Sequence, residues 1–421
     1  MSQTIVLKQL QAAKQAAQRL AQLSTGQKNT VLKTVAKHLQ NHHKKIIAAN
    51  QRDFKRLPSD YALADRLRLT VDRITNLADS IRAVVTLPDP IGVVIDQRTR
   101  PTGLHIKRLR VPFGVVGIIY EARPNVTTEI FSLGFKTGNA VVLKGGRDAD
   151  CTNRLLVQLI HQVLRRYHLP TAAITRLDPF DTTATPALLG AHGLVDVIIP
   201  RGSNRLIEYV REHATVPVIE TGAGVCHTYV EGSANLAMAT RVVTNAKVRR
   251  CTVCNALDCL LLDKAIVKTL LPRLAKSLLP YGVLLHADTA SVAVLKSCYP
   301  TSLLQSAKTS DYGKEWLSLQ LTIKTVANFN KAVSYIQRYS SGHSEAIITG
   351  QPRLAQKFTQ QIDAAAVYVN TATAFTDGFE FGLGAEVGIS TQKLHARGPM
   401  GLVELTTYKW VITSNGAVRT V

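Results

Sequence analysis

The 421-residue sequence is poor in cysteine, in acid and in long apolar runs. Six cysteines scattered through so long a chain do not make a disulfide framework, and a reducing cytoplasm is the expected setting. No apolar run approaches the roughly 18 residues of a membrane span. The opening MSQTIVLKQLQAAKQ has neither an apolar core nor a small-residue cleavage site, so no secretory leader and no membrane partner are expected. Internal repeats and low-complexity tracts are absent. So is G-x-G-x-x-G, which removes the conventional dinucleotide fingerprint. Acid is the scarcest class: 29 Asp and Glu face 51 Lys and Arg, for a net charge of +22. Residues 1–60 hold eleven Lys and Arg against Asp53 and Asp60. Such charge admits a nucleic acid. No RNP-like run, zinc-finger spacing or block of consecutive basic residues accompanies it, and a polyanionic small molecule or a solvated basic face suits it equally.

What is present describes a globular chain, 46% hydrophobic and long enough for two or three domains. Residues 1–87 read as helices: Val6, Leu10, Ala13, Ala17 and Leu20 step by four and three, as do Ile74, Leu77, Ile81 and Val84. LPDP at 87–90 ends that pattern. Two β-rich runs then flank TRPTG like a hairpin. From residue 114 short apolar runs (GVVGIIY, NAVVLKGG, LVDVIIPRGS) alternate with helical patterns, which implies a parallel, doubly wound sheet with ligands at its glycine-rich strand ends. A second α/β stretch follows residue 225 or so, with strand candidates CNALDCLLLD, LQLTIKTV, AIITG and AAVYVN. The β-rich segments near 93–110 and 404–420 are expected to pair between subunits.

Chemistry concentrates in VRRCTVCNALDC, residues 248–259. Cys251 and Cys254 are spaced C-x₂-C, but a structural zinc site needs a second pair or two histidines nearby, and only Cys259, Cys226 and His227 are on offer. Lys247, Arg249 and Arg250 precede the cysteines, and cations beside a thiol favour the thiolate. Locally, a nucleophile and three packed cysteines both remain open.

TVCNALDCLLL resembles the active-site segment of the aldehyde dehydrogenase superfamily, in the branch that reduces L-glutamyl 5-phosphate. RVPFGVVGIIYEARPNVT, KTGNAVVLKGG, VIIPRGSNRLI, VPVIETGAG, SSGHSEAIIT and FEFGLGAEVGISTQKLHARGPMGLVELTTYKWV extend the likeness in order, from about residue 60 to the C-terminus. The resemblance implies an α/β, aldehyde dehydrogenase-like fold: a doubly wound coenzyme domain (1–92 and 111–225), a smaller α/β catalytic domain (226–400) and β oligomerisation segments (93–110 and 401–421). It makes Cys254 the nucleophile and leaves Cys251 and Cys259 as packing. Asn125 matches the asparagine that forms an oxyanion hole with the nucleophile's N–H. Lys144 matches the lysine at the adenosine ribose. Gly145 and Gly146 leave room for a 2′-phosphate and Arg147 adds charge there, which implies NADP(H). Gly202 and Ser203 match the turn beneath the pyrophosphate, and Glu315 the glutamate on the nicotinamide ribose. Glu220 falls where hydrolytic relatives keep their water-activating base; proton handling and bracing of the loop stay open for it. No metal is implied.

In this branch NTATAFTDG usually reads with arginine where Ala374 stands, so the anchor of the substrate's anionic end is unassigned, with Arg201 and Arg397 as candidates. The implied reaction is NADPH-dependent reduction of L-glutamyl 5-phosphate to L-glutamate 5-semialdehyde through a cysteine thioester, the second step of proline biosynthesis. The chain would be a homo-oligomer, receiving its acyl phosphate from glutamate kinase. Alternatives are a dehydrogenase for another aldehyde or acyl donor, and a basic nucleic-acid-binding protein on the same scaffold.

Overall fold

The apolar steps of the N-terminal region become buried helix faces. In the computed structural model, which describes residues 3–58, 61, 64–121 and 123–419, helix Gln3–Leu20 buries Val6, Leu10, Ala13, Ala17 and Leu20. Helix Val71–Thr86 buries Ile74, Leu77, Ile81 and Val84. Between them, Ser24 and Gln27 form a reciprocal capping box that starts helix Thr25–Asn41. Ala122 of the quoted YEARPN run and Asp60 of the charge count lie outside the described residues.

The chain divides into two compact units. Unit one comprises Met1–Thr221, Gly382–Gly388 and Met400–Val421. Its main sheet has four parallel strands in the order Ile174–Arg176, Ala140–Gly145, Val115–Tyr120, Val197–Arg201. All six residues of Val115–Tyr120 are buried, as a strand covered on both faces requires. The chain moves outward from that strand through the next two, then returns to lay Val197–Arg201 on its other side. The reversal opens a crevice at the C-terminal ends of Val115–Tyr120 and Val197–Arg201.

Unit one also carries a three-stranded antiparallel sheet, Val94–Thr99, His105–Pro112 and Thr406–Thr413. The hairpin expected around TRPTG is present, and Gly103 takes the positive φ of 81° its turn needs. The C-terminal segment forms the third strand of this sheet. It pairs with the hairpin of its own chain, Thr406 opposite Pro112 through Thr413 opposite His105, and is an edge strand whose other side has no strand partner among the described residues.

Unit two, Gly222–Phe381 with Ile389–Pro399, holds seven parallel strands. Their order is Leu304–Ser306, Leu284–Ala287, Gln320–Val326, Leu257–Asp263, Cys226–Val230, Ser344–Ile348, Ala366–Val369. One face packs on a cluster around Leu260, Leu270 and Leu285, the other on Cys259, Phe329 and Phe358. The expected strand at CNALDCLLLD begins only at Leu257, leaving Cys254 in the turn before it. Three strands carry no apolar run of their own. Cys226–Val230 holds the buried polar residues His227 and Thr228, while Leu284–Ala287 and Leu304–Ser306 are short.

Candidate active site and coenzyme crevice

In unit one, the crevice is a cavity of about 350 Å³ lined by residues that include Tyr120, Glu121, Lys144, Gly145, Gly146 and Tyr209. Lys144 is the one half-exposed residue of an otherwise buried strand, and its Nζ donates to the Pro179 carbonyl at 3.4 Å. Arg147 stands just beyond the lining. Its Nε donates to the same carbonyl at 3.3 Å, and its guanidinium lies 5.5 Å from the Phe180 ring. Burial, and then the Arg147 charge, hold the Lys144 ammonium below the ordinary lysine range. Two cations converging on one carbonyl oxygen are ready to receive an anion. Gly145 beside them is required by packing, because a Cβ there would lie 2.9 Å from Nδ2 of the buried Asn153 and 3.2 Å from the buried Tyr120 hydroxyl.

Gly202 and Ser203 lie at the end of the neighbouring strand, and Ser203 caps helix Asn204–His213. Their partner is Glu121, which sequence reasoning missed: Oε2 accepts the Ser203 N–H at 2.8 Å, and a Cβ at 202 would collide with that same oxygen. The signal was its position at the end of GVVGIIY, where doubly wound sheets bind ligands.

Asn125 sits in the first turn of helix Pro124–Lys136 and donates from Nδ2 to both carboxylate oxygens of Glu129, at 3.0 and 3.1 Å. Glu220 lies between two anchors on strand Val197–Arg201: Ile219 N–H reaches the Ile198 carbonyl at 2.9 Å, and Thr221 Oγ1 the Pro200 carbonyl at 2.5 Å. Arg201 has a buried Nε with no hydrogen-bond partner in the structure, and no carboxylate pairs with it among the described residues.

In unit two, Cys254 follows helix Leu236–Val248 and precedes strand Leu257–Asp263. Its main chain lies flat against Gly224, where any Cβ would overlap the Cys254 carbonyl. The Gly224 N–H donates to Glu315 Oε1 at 3.0 Å, so two expected site residues, Cys254 and Glu315, meet through a glycine whose role the sequence did not reveal. Behind them, Cys226 Sγ donates to the Cys254 carbonyl at 3.2 Å. Asn255 Nδ2 donates to the Ala374 and Thr376 carbonyls at 3.2 and 3.0 Å, tying the nucleophile's turn to the segment 373–376. Ala374 itself is buried against Ala372 in the apolar cluster. Arg397 is committed to Asp363, 2.7 Å away.

Of the cations before the cysteines, Lys247 turns inward. Lys247 is fully buried, with Nζ donating to the Leu257 carbonyl at 2.9 Å and facing Asp258 Oδ1 at 3.8 Å. Its charge is therefore matched by a carboxylate, because a buried ammonium needs one. Burial pushes the Asp258 carboxyl up to about 7, against the opposing pull of Lys247. Cys259 is buried, its Sγ 3.6 Å from the Tyr335 hydroxyl, and burial raises its thiol to about 12. Among the described residues, no three His, Cys, Asp or Glu side chains are grouped to hold a metal ion.

These features have counterparts in known proteins. The model of the aldehyde dehydrogenase family matches residues 1–292. The gamma-glutamyl phosphate reductase of Parabacteroides distasonis is 50% identical over 410 residues, 97% of this chain and 98% of the relative. That of Pelodictyon phaeoclathratiforme is 47% identical over 419 residues, covering both chains completely. The crystal structure of gamma-glutamyl phosphate reductase from Thermotoga maritima superposes with a TM-score of 0.93 at 40% identity, covering 99% of this chain and 100% of that one. The chain belongs to the aldehyde dehydrogenase family and, within it, to the gamma-glutamyl phosphate reductases.

Proposed function

We propose that the chain reduces L-glutamyl 5-phosphate to L-glutamate 5-semialdehyde and inorganic phosphate, the second step of proline biosynthesis from glutamate. The observation that carries this is likeness to gamma-glutamyl phosphate reductases along the whole chain, at 47–50% identity. Family membership brings a nicotinamide coenzyme. The choice of NADPH is supported by Lys144 and Arg147, which turn both cations toward one point beside Gly145 and Gly146.

Cys254 Sγ bonds to the acyl carbon as the carbon–oxygen bond to phosphate breaks, leaving a thioester that stays on the enzyme. NADPH, when bound, supplies the hydride that brings this carbon to the aldehyde level. Cys254 leaves as the aldehyde forms. Glu315 keeps Gly224, and with it the Cys254 main chain, in place. Asn125 offers its amide to the developing oxyanion and must exchange Glu129 for it. Arg201 is the better anchor for the substrate's anionic end, because Arg397 is already paired with Asp363.

A thioester that must not be hydrolysed suits Glu220 as a proton carrier or a brace, and not as a base for water. The test runs the reaction backwards. With glutamate semialdehyde and NADP, product should rise with phosphate, stall after about one turnover per site without it, and recover with arsenate. Glu220→Gln should leave the phosphate requirement intact. Sustained turnover in phosphate-free buffer, abolished by Glu220→Gln, would identify a hydrolytic enzyme instead.

The partners follow from the chemistry. An acyl phosphate is labile, which supports direct supply from glutamate kinase. The exposed Tyr408, Trp410 and Ile412 of the three-stranded sheet support a homo-oligomer. No described helix is long and apolar enough to cross a membrane. The six cysteines, all among the described residues, are free thiols, which supports the reducing cytoplasm that a thiol nucleophile requires.

A further inference from the structure

Glu121 lies in the coenzyme crevice, yet the reaction proposed above gives it no task. It follows strand Val115–Tyr120, and its own N–H donates to the Arg201 carbonyl at 3.1 Å, which fixes where its side chain starts. From there the carboxylate folds onto the turn before helix Asn204–His213. Oε2 accepts the Ser203 N–H at 2.8 Å and Oε1 the Ser203 hydroxyl at 3.3 Å. Gly202 is shaped to this carboxylate, since a Cβ there would collide with Oε2. The Ser203 N–H opens the positive end of a ten-residue helix. In doubly wound sheets, that end is where a dinucleotide's pyrophosphate settles. Glu121 also lines the cavity together with Lys144, Gly145 and Gly146. In the free protein, then, an internal anion holds the donor that an incoming anion needs. The two cannot share it, because like charges a few ångströms apart repel and one N–H satisfies one close acceptor well.

We propose that Glu121 is a built-in competitor of the coenzyme pyrophosphate. Its carboxylate closes the Ser203 turn in the free protein and swings out when coenzyme binds. It thereby weakens the binding of NADPH and NADH alike, hastens release of the spent coenzyme, and keeps the helix end satisfied between turnovers. This rests on the coenzyme reading of the crevice.

Glu121→Gln tests it, because glutamine keeps the length and an acceptor oxygen but loses the charge. NADPH and NADH are titrated separately against wild type and variant by coenzyme fluorescence, and melting is followed with and without NADPH. Both coenzymes should bind about three- to tenfold more tightly to the variant, with slower dissociation, and the gain should shrink as salt rises. The ligand-free variant should melt about 1–3 °C lower, having lost a charge at a helix N-terminus, while its stabilisation by NADPH grows. Glu121→Ala should change affinity in the same direction and serves if the glutamine variant does not fold. Unchanged or weaker binding in the variants would overturn the proposal, since the carboxylate would then be a bystander or a direct coenzyme acceptor. A gain confined to NADPH would overturn it too, by placing the carboxylate at the 2′-phosphate. If wild type binds neither coenzyme, the coenzyme reading itself fails, and the proposal with it.

Discussion

The nucleophile's turn depends on a residue with no side chain. Gly224 lies where any Cβ would overlap the Cys254 carbonyl, and its N–H is held by Glu315. Gly224→Ala should therefore cost about 1–3 kcal/mol of stability through overpacking, and on the order of a hundredfold in turnover through displacement of Cys254. A fully active Gly224→Ala enzyme would refute the close approach. Cys254→Ala should lose at least about three orders of magnitude in rate, whereas Cys259→Ala, at a buried thiol, should cost about 1–2 kcal/mol of stability, Cys251→Ala, at a half-exposed one, less, and both should keep turnover. Equal loss of activity in all three folded variants would remove Cys254 from its role. His343, behind the site, is a separate test. Its Nδ1 lies 2.7 Å from Ser344 Oγ and 3.8 Å from Cys226 Sγ, and burial holds the imidazole down at about 4. Between that value and the ordinary one near 6.5, the unfolded chain binds a proton that the folded chain does not. Stability thus rises with pH across this window and is lost as pH falls from about 6.5 to 4, by about 3 kcal/mol at most. Urea unfolding at pH 7 and pH 4.5 should show this loss in wild type and a smaller one in His343→Asn; an unchanged difference would exclude His343 as its source.

At the scale of elements, function gathers where parallel strands end. Ala140–Gly145 delivers Lys144, Gly145 and Gly146, and Val197–Arg201 delivers Gly202 and Ser203. Because strand order reverses between Val115–Tyr120 and Val197–Arg201, Glu121 meets Ser203 across a separation of 82 residues. Lys144→Ala removes one of the two cations at the Pro179 carbonyl. It should weaken NADPH by about ten- to hundredfold, as expected for a lost charge-assisted bond, and NADH by clearly less. Equal losses for both coenzymes, measured by the same titration, would detach Lys144 from the 2′-phosphate.

At the scale of the molecule, the three-stranded sheet stands out, because one of its faces exposes large apolar side chains set among Arg98, Arg108 and Arg110. Tyr408, Trp410 and Ile412 alternate onto that face at 50%, 43% and 54% exposure, with Arg108 5.0 Å from the Tyr408 ring. Exposed apolar side chains of this kind are what the proposed homo-oligomer rests on. Trp410→Lys with Ile412→Lys should reduce the mass seen by light scattering to that of one chain. A wild-type protein that is already monomeric would remove the sheet's proposed role.

The sequence by itself determined the local periods and the chemistry they carry. Val6 to Leu20 fixed a helix face, GVVGIIY and NAVVLKGG fixed buried strands, and the run around Cys254 pointed to a thiol nucleophile through its resemblance to a known family. Those are short-range patterns, and a helix or a buried strand writes them within a few residues. Only the tertiary structure decided who meets whom. It paired Thr406–Thr413 with His105–Pro112 inside one chain, and set the buried Lys247 against Asp258. It brought Gly224 under Cys254 and Glu121 onto Ser203. Each of these depends on strand order, burial or a close backbone approach between residues distant in sequence. None of those leaves a periodic mark, because the partners are chosen by the packed sheet and by the need to satisfy buried charge and donors, not by neighbours along the chain.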